Sequence, residues 1–130
     1  CAPALKGSGH GSVVNISSIY GIVGADPRLR EGTGLGAAST AYSASKGGLV
    51  QLTRQLAAVM APEVRVNSIS LGGVWRDQPD AFHRRYVERT PLGCMATEED
   101  TKGAVAYLAS DLSRYVTGHN LVVDGGWTAW

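Results

Sequence analysis

Cysteine is nearly absent from this sequence. Cys1 and Cys94 have no metal-ligand spacing and form no disulfide framework, so a reducing cytoplasm is the expected setting. Long apolar runs are missing as well; none approaches the ~20 residues of a membrane-spanning helix. The first residues show no basic-then-apolar pattern. Neither sign of charge dominates: 12 Lys and Arg face 11 Asp and Glu, a net charge of +1. That balance gives no electrostatic footprint for nucleic acid or an anionic membrane. The three histidines, His10, His83 and His119, are far apart and lack paired ligand spacing, so no metal site is expected. The 17 glycines follow no period, which excludes collagen and repeat architectures.

What is present suits one folded domain. Hydrophobic residues make up 44% of the 130-residue chain and charged ones 18%, enough apolar material for a core. Val13, Val14 and Ile16 make residues 12–17 a short buried strand. Residues 19–39 carry Gly, Pro and charges without a period and read as a long loop. A helix is expected over 40–60, with Leu49, Leu52, Leu56 and Val59 as its sheet-facing stripe and Pro62 just beyond its end. Residues 64–70 form a second, β-branched strand, and 76–92 short, mobile helices. Thr97–Asp100, "TEED", reads as a helix start with a hydroxyl cap, followed by an apolar face of Val105 and Leu108. Residues 120–126 are the last strand and its turn. Strands joined through helices predict a parallel α/β sheet with right-handed crossovers.

Two glycine motifs invite a nucleotide reading. "GTGLGA", Gly32–Ala37, has the letters of the dinucleotide fingerprint, but "ADPRLRE" before it is no strand. The mechanism needs a strand feeding a tight turn onto a helix N-terminus. "GSGHG", Gly7–Gly11, precedes a strand instead of following one. Both read as loops.

The chemistry lies in "AYSASKGG", residues 41–48. Tyr42 and Lys46 are four apart and share a helix face. Free tyrosine, with a pKa near 10, is a poor base at neutral pH; a close ammonium favours the phenolate and makes proton exchange with a substrate oxygen feasible. Tyr and Lys at this spacing are also ordinary on an exposed helix. Context adds weight: "NISS" ends the preceding strand and "LGGV" follows the next one. In an open parallel sheet, ligands bind outside the carboxyl ends of the strands.

Together "NISS" (15–18), "YSASK" (42–46), "RVNSISLGGV" (65–74), "TPLG" (90–93) and "TGHNLVVDGG" (117–126) resemble the short-chain dehydrogenase/reductase family. The resemblance covers essentially the whole chain. It implies the C-terminal part of a Rossmann-like doubly wound parallel sheet. It also implies NAD or NADP as cofactor and hydride transfer between a hydroxyl and a carbonyl. The family pattern places catalytic roles on Ser18, Tyr42 and Lys46, with Ser17 as the neighbouring serine. Lys46 would also hold the nicotinamide ribose beside Tyr42, and backbone around Gly72 and Val74 would face the nicotinamide amide. A small-molecule substrate and a homo-oligomer built on the 40–60 helix are implied, with Gly47, Ala57 and Ala58 on the partner side.

The sequence departs from that pattern in four ways. Residues 1–130 read as a single partial domain without the N-terminal phosphate-binding half, entered partway at Cys1. Poor NAD(P) binding by the chain alone is therefore expected, and a non-catalytic remnant or self-associating half-domain is the alternative. Leu71 stands where the family has proline, which should loosen the turn. Arg76 stands near a usual threonine. Finally, 23 residues separate Ser18 from Tyr42. That loop and the C-terminal segment look similar to members from bacterial surface-sugar and flagellin-glycan biosynthesis. Residues 26–36 and 76–90, with Arg28, Arg30, Arg76, Arg84, Arg85 and Arg89, are expected to form a lid over an anionic sugar derivative.

Overall fold

The computed structural model describes residues 2–130; Cys1 lies outside them. The element order is α1 (Ala2–Gly7), β1 (Gly11–Ser18), α2 (Thr40–Met60), β2 (Val64–Leu71), α3 (Asp80–Glu88), α4 (Glu99–Ala109) and β3 (Asn120–Val123). The three strands form one parallel sheet in the order β1-β2-β3. This is the α/β architecture expected from the sequence. None of the described helices is long and apolar enough to cross a membrane.

β2 is the central strand, and Val64 and Val66 to Ser70 are all buried. Its polar side chains are satisfied internally, as burial demands. Asn67 Nδ2 donates to the Val116 carbonyl at 2.9 Å and Asn67 Oδ1 accepts the His119 N–H at 3.0 Å. Ser68 and Ser70 hydroxyls both donate to Asn120 Oδ1, at 2.8 and 2.9 Å, tying β3 to β2. β1 pairs with β2 alone among the described residues, leaving its far side open, and Ile16 is 43% exposed.

α2 starts where Ser39 Oγ accepts the Tyr42 N–H at 3.2 Å. Its buried stripe differs from the leucine stripe expected. Val50, Thr53 and Ala57 are buried and Leu56 of the expected stripe packs partly buried against the sheet, while Leu52 and Val59 are 47% and 61% exposed. The seam sits one residue further round the helix because small and polar side chains let it lie close to the sheet. Thr53 Oγ1 donates to the Leu49 carbonyl at 2.8 Å and accepts Asn15 Nδ2 at 2.9 Å. Ala57 packs with Val64 and Val66. Gly47 lies against the Gly21 backbone. Gly47 and Ala57 therefore serve this internal seam, and only Ala58 of the three small residues is exposed.

Residues 19–39 are more ordered than a bare loop. Two 3-10 turns, Ile19–Gly21 and Pro27–Leu29, punctuate them, and Ile19 and Leu29 are each 2% exposed. Both join Phe82, Tyr86, Met95 and Trp127 in one hydrophobic cluster at the carboxyl end of the sheet. The helical structure in 76–92 is the single helix α3, anchored by buried Phe82 and Tyr86. At α4 the capping runs opposite to expectation. The Thr97 N–H and hydroxyl both donate to Asp100 Oδ2 at 2.7 Å. These bonds, the hydroxyl's first, hold the Asp100 carboxyl below its ordinary pKa. Leu108 is fully buried, but Val105 is 39% exposed.

Candidate functional site

Parallel pairing brings the strand ends to one edge. Ser18 aligns with Leu71, and Leu71 with Val123. After Ser18 the chain turns into its first 3-10 helix, with Ser18 Oγ accepting the Tyr20 N–H at 3.2 Å. Gly21 then presses on α2: a Cβ there would lie 2.6 Å from the Lys46 carbonyl carbon. The small residues of "AYSASKGG" thus permit a close helix-to-turn approach inside the chain. That approach places Tyr42 beside the end of β1. Ser17 secures the same junction, its buried hydroxyl donating to the Lys46 carbonyl at 2.9 Å.

Ser18 and Tyr42 line one cleft of about 550 Å³, and Gly72 and Gly73 form part of its wall. Tyr42 is 45% exposed. Lys46 stands behind it, its ammonium 5.5 Å from the Tyr42 ring centroid and donating to the Ile16 carbonyl at 2.8 Å. The structure therefore gathers Ser18, Tyr42, Lys46 and Gly72 at one place. Val74 stands outside the cleft wall. Its carbonyl accepts Gln78 Nε2 at 2.8 Å and its backbone bridges to Ala96.

The turn after Leu71 is held firmly despite the missing proline. The Gly72 N–H donates to the Val123 carbonyl at 2.9 Å, and the Gly73 N–H to the Tyr86 hydroxyl at 2.6 Å. A Cβ on Gly72 would lie 2.8 Å from Asp124 Cα; one on Gly73, 2.7 Å from Met95 Cε and 2.8 Å from Tyr86 Cζ. Glycine is required at both because structure packs directly beneath them.

Sequence reasoning missed Tyr20, Gln78, Phe82, Tyr86 and Met95, all of which line the cleft. Burial pushes the Tyr86 hydroxyl up to about 12, a rise partly offset by the Gly73 N–H. Burial also raises Tyr20, while the Arg30 guanidinium works in the opposite direction. No local pattern marks these tyrosines; the fold alone brings them beside Ser18.

The two arginine-bearing segments do meet, largely to bind each other. Arg28 makes a two-pronged pair with Asp26, Nε at 2.9 Å and Nη2 at 2.8 Å, and Arg89 binds the same carboxylate. That carboxylate side chain is only 9% exposed. Arg85 donates to the carbonyls of Arg28 and Glu31 at 3.1 and 2.6 Å. Arg76 pairs with Glu98 at 2.8 Å. Of the arginines expected to form the lid, only Arg30 lines the cleft.

"GTGLGA" follows the second 3-10 turn and leads towards α2, with Gly32 and Gly34 at φ of +66° and +74°. No strand feeds it, so it has the loop setting expected.

Residues 1–128 match the family model described as enoyl-(acyl carrier protein) reductase. The chain belongs to the short-chain dehydrogenase/reductase family. It is 36% identical to galactitol 2-dehydrogenase (L-tagatose-forming) of Cereibacter sphaeroides, covering 98% of this chain and 49% of the relative. It is 39% identical to trans-4-hydroxycyclohexanecarboxylate dehydrogenase of Sinomonas cyclohexanicum, covering 98% and 44%. The crystal structure of a short-chain dehydrogenase from Leptospira borgpetersenii with bound NAD+ superposes with a TM-score of 0.88 at 40% identity, covering 98% of this chain and 48% of that one. The chain spans about half the length of the relatives it matches. Its sheet belongs to the Rossmann type of those relatives.

The residues present fit one end of a nicotinamide cofactor. Exposed Tyr42 with Lys46 behind it presents a hydroxyl and an ammonium that would meet a ribose, and Gly72 a side-chain-free wall that would face the ring. Among the described residues no strand runs through a glycine turn into a helix N-terminus, the device that takes up a pyrophosphate.

Proposed function

We propose that this chain is the catalytic, C-terminal half of an NAD(P)-dependent oxidoreductase that interconverts a hydroxyl and a carbonyl. The observation that carries this reading is the convergence of Ser18 and Tyr42 on one cleft, with the Lys46 ammonium 5.5 Å from the Tyr42 ring. When bound, the nicotinamide supplies the hydride acceptor or donor. The Ser18 hydroxyl donates to the substrate oxygen and steadies its changing charge. The Tyr42 hydroxyl moves the proton at that oxygen. Lys46, fixed by the Ile16 carbonyl, stands behind the tyrosine and would hold the ribose. The substrate is a small secondary alcohol, the group common to galactitol and the hydroxycyclohexanecarboxylate named for the relatives. A surface-glycan role draws no support from the relatives described above.

The test is nicotinamide reduction by a protein containing this chain, with NAD+ or NADP+ and small secondary alcohols such as galactitol and trans-4-hydroxycyclohexanecarboxylate. Tyr42→Phe should lower kcat roughly 10²- to 10⁴-fold with unchanged circular dichroism. An unaltered kcat removes Tyr42 from the reaction. The 130 residues alone should bind either cofactor weakly, since no pyrophosphate cradle occurs among the described residues; micromolar affinity in calorimetry would contradict the half-domain reading.

One observation favours a second reading. The open edge of β1, with Ile16 exposed, suits pairing with another strand. In that reading the chain is a half-domain that associates through its sheet. Concentration-dependent self-association without turnover in any complemented form would support it over the first.

A further inference from the structure

We propose that Arg30 is the specificity-determining residue of the cleft, and that it takes the carboxylate of a hydroxy-acid substrate. This rests on the reading of the Ser18–Tyr42 cleft as the substrate site and adds a substrate class to it.

The sequence offers six arginines in the two segments flanking the cleft, and their fates differ. Arg28 and Arg89 share the single carboxylate of Asp26, and Arg76 pairs with Glu98. Arg85 is spent on backbone carbonyls, and Arg84 is not part of the cleft wall. Arg30 is half-buried and, among the described residues, has no carboxylate partner. It is nonetheless held in place. Nη1 donates to the Gly36 carbonyl at 2.9 Å, and the guanidinium lies 5.8 Å from the Phe82 ring centroid. A pre-oriented guanidinium without a carboxylate partner on the cleft wall is available to an anionic ligand.

Its position fixes where that anion would lie. Arg30, Ala37 and Ala38 form the wall shared by the Ser18–Tyr42 cleft and an adjoining one of about 610 Å³. Glu31 lines the adjoining cleft, so an anion is repelled from that side and favoured on the side of Ser18 and Tyr42. The guanidinium's field reaches that side, since it acts on the Tyr20 hydroxyl in the cleft wall.

With Nη1 committed to Gly36, the edge left for a ligand is Nε and Nη2. Arg28 uses that same edge on Asp26. Two parallel N–H groups match the two oxygens of a planar carboxylate. A phosphate, with more charge and more oxygens, would call for further cations than this single one. A substrate held there would carry its carboxylate at Arg30 and offer its hydroxyl to Ser18 and Tyr42.

The test measures binding and needs no turnover. The 130-residue chain is titrated in a calorimeter with trans-4-hydroxycyclohexanecarboxylate, with its neutral carboxamide, and with inorganic phosphate. Wild type should bind the acid roughly 10- to 100-fold more tightly than the amide, the range of a charge-assisted pair. Arg30→Gln should erase that preference and leave amide binding unchanged. Arg30→Lys should restore part of it. Circular dichroism checks that each variant is folded. Equal binding of acid and amide by wild type, no binding of either, or a preference retained in Arg30→Gln overturns the proposal. Phosphate bound as tightly as the acid overturns the carboxylate assignment. An acid preference that depends on Arg30, alongside an unchanged kcat in Tyr42→Phe, would leave this inference standing and remove the proposed catalytic role.

Discussion

The Tyr86 hydroxyl accepts the Gly73 N–H at 2.6 Å, joining α3 to the turn at the end of β2. The bond holds in shape a turn that has no proline to stiffen it. Tyr86→Phe keeps the ring and leaves a buried N–H without a partner. It should lower stability by about 1–3 kcal/mol, the cost of an unsatisfied buried donor, read as an earlier midpoint in urea. An unchanged midpoint would mean that water replaces the hydroxyl.

The same tyrosine gives the protein an alkaline limit. Burial raises the folded-state pKa of Tyr86 to about 12, against an ordinary 10.0. The folded state therefore holds the phenol proton where the unfolded state has lost it. Stability from this group is fully present below about pH 10 and falls as pH rises towards 12. Wild type should lose stability over that interval, and Tyr86→Phe should lose less. Parallel pH profiles for the two proteins would contradict this origin.

Asp26 is the clasp between the 26–36 segment and α3. Its carboxylate accepts the Arg28 N–H at 3.0 Å and takes both the Arg28 and Arg89 guanidinium groups. Asp26→Ala removes a cap and two charged partners together, and should cost roughly 2–4 kcal/mol. Limited proteolysis should then cut within residues 24–37 first. Arg28→Ala should loosen the same segment mildly without abolishing an acid-over-amide preference, because Arg28 is occupied by Asp26. Loss of that preference in Arg28→Ala would show that the clasp positions Arg30.

The strands and α2 were legible because their signals are local: β-branched runs for β1 and β2, and a long segment from Thr40 closed by Pro62. Ser18, Tyr42, Lys46 and Gly72 were legible through family motifs, and parallel pairing explains how they converge. The buried stripe of α2 was misread because leucine spacing marks apolar surface without saying what covers it. Here the sheet takes Thr53 and Ala57, whose small size permits close approach, and Leu52 and Val59 turn outward. The arginines were misread for a different reason. Arg85 meets the Arg28 carbonyl across 57 residues, and such a pairing leaves no trace in the local sequence. Charge at a strand end was visible; whether it was already neutralised was not.

Leu52 and Val59 lie seven residues apart on the outward side of α2, so they fall on one stripe. For the homo-oligomer that the family resemblance implies, this stripe, and not the small-residue face, is the exposed apolar surface α2 has to offer. Leu52→Lys combined with Val59→Lys should shift sedimentation towards the monomer while leaving circular dichroism unchanged. An oligomer that persists in the double variant would move the interface elsewhere.

Ser17 and Ser18 are adjacent, yet the fold sets them apart, and their alanine variants should separate structure from catalysis. Ser17 is 3% exposed and its hydroxyl donates to the Lys46 carbonyl, bracing β1 against α2. Ser18 is 8% exposed, lines the cleft, and its oxygen only accepts the Tyr20 N–H, leaving its own proton to donate. Ser17→Ala should lower stability by about 0.5–1.5 kcal/mol, the worth of one hydrogen bond, with modest loss of turnover. Ser18→Ala should cost a similar amount of stability through the lost Tyr20 cap but depress kcat far more, by roughly 10²- to 10³-fold, the range for removing one donor to a developing charge. Equal turnover losses with equal stability would leave the two serines indistinguishable. The reverse pattern would assign the substrate hydrogen bond to Ser17 and require the end of β1 to turn during catalysis.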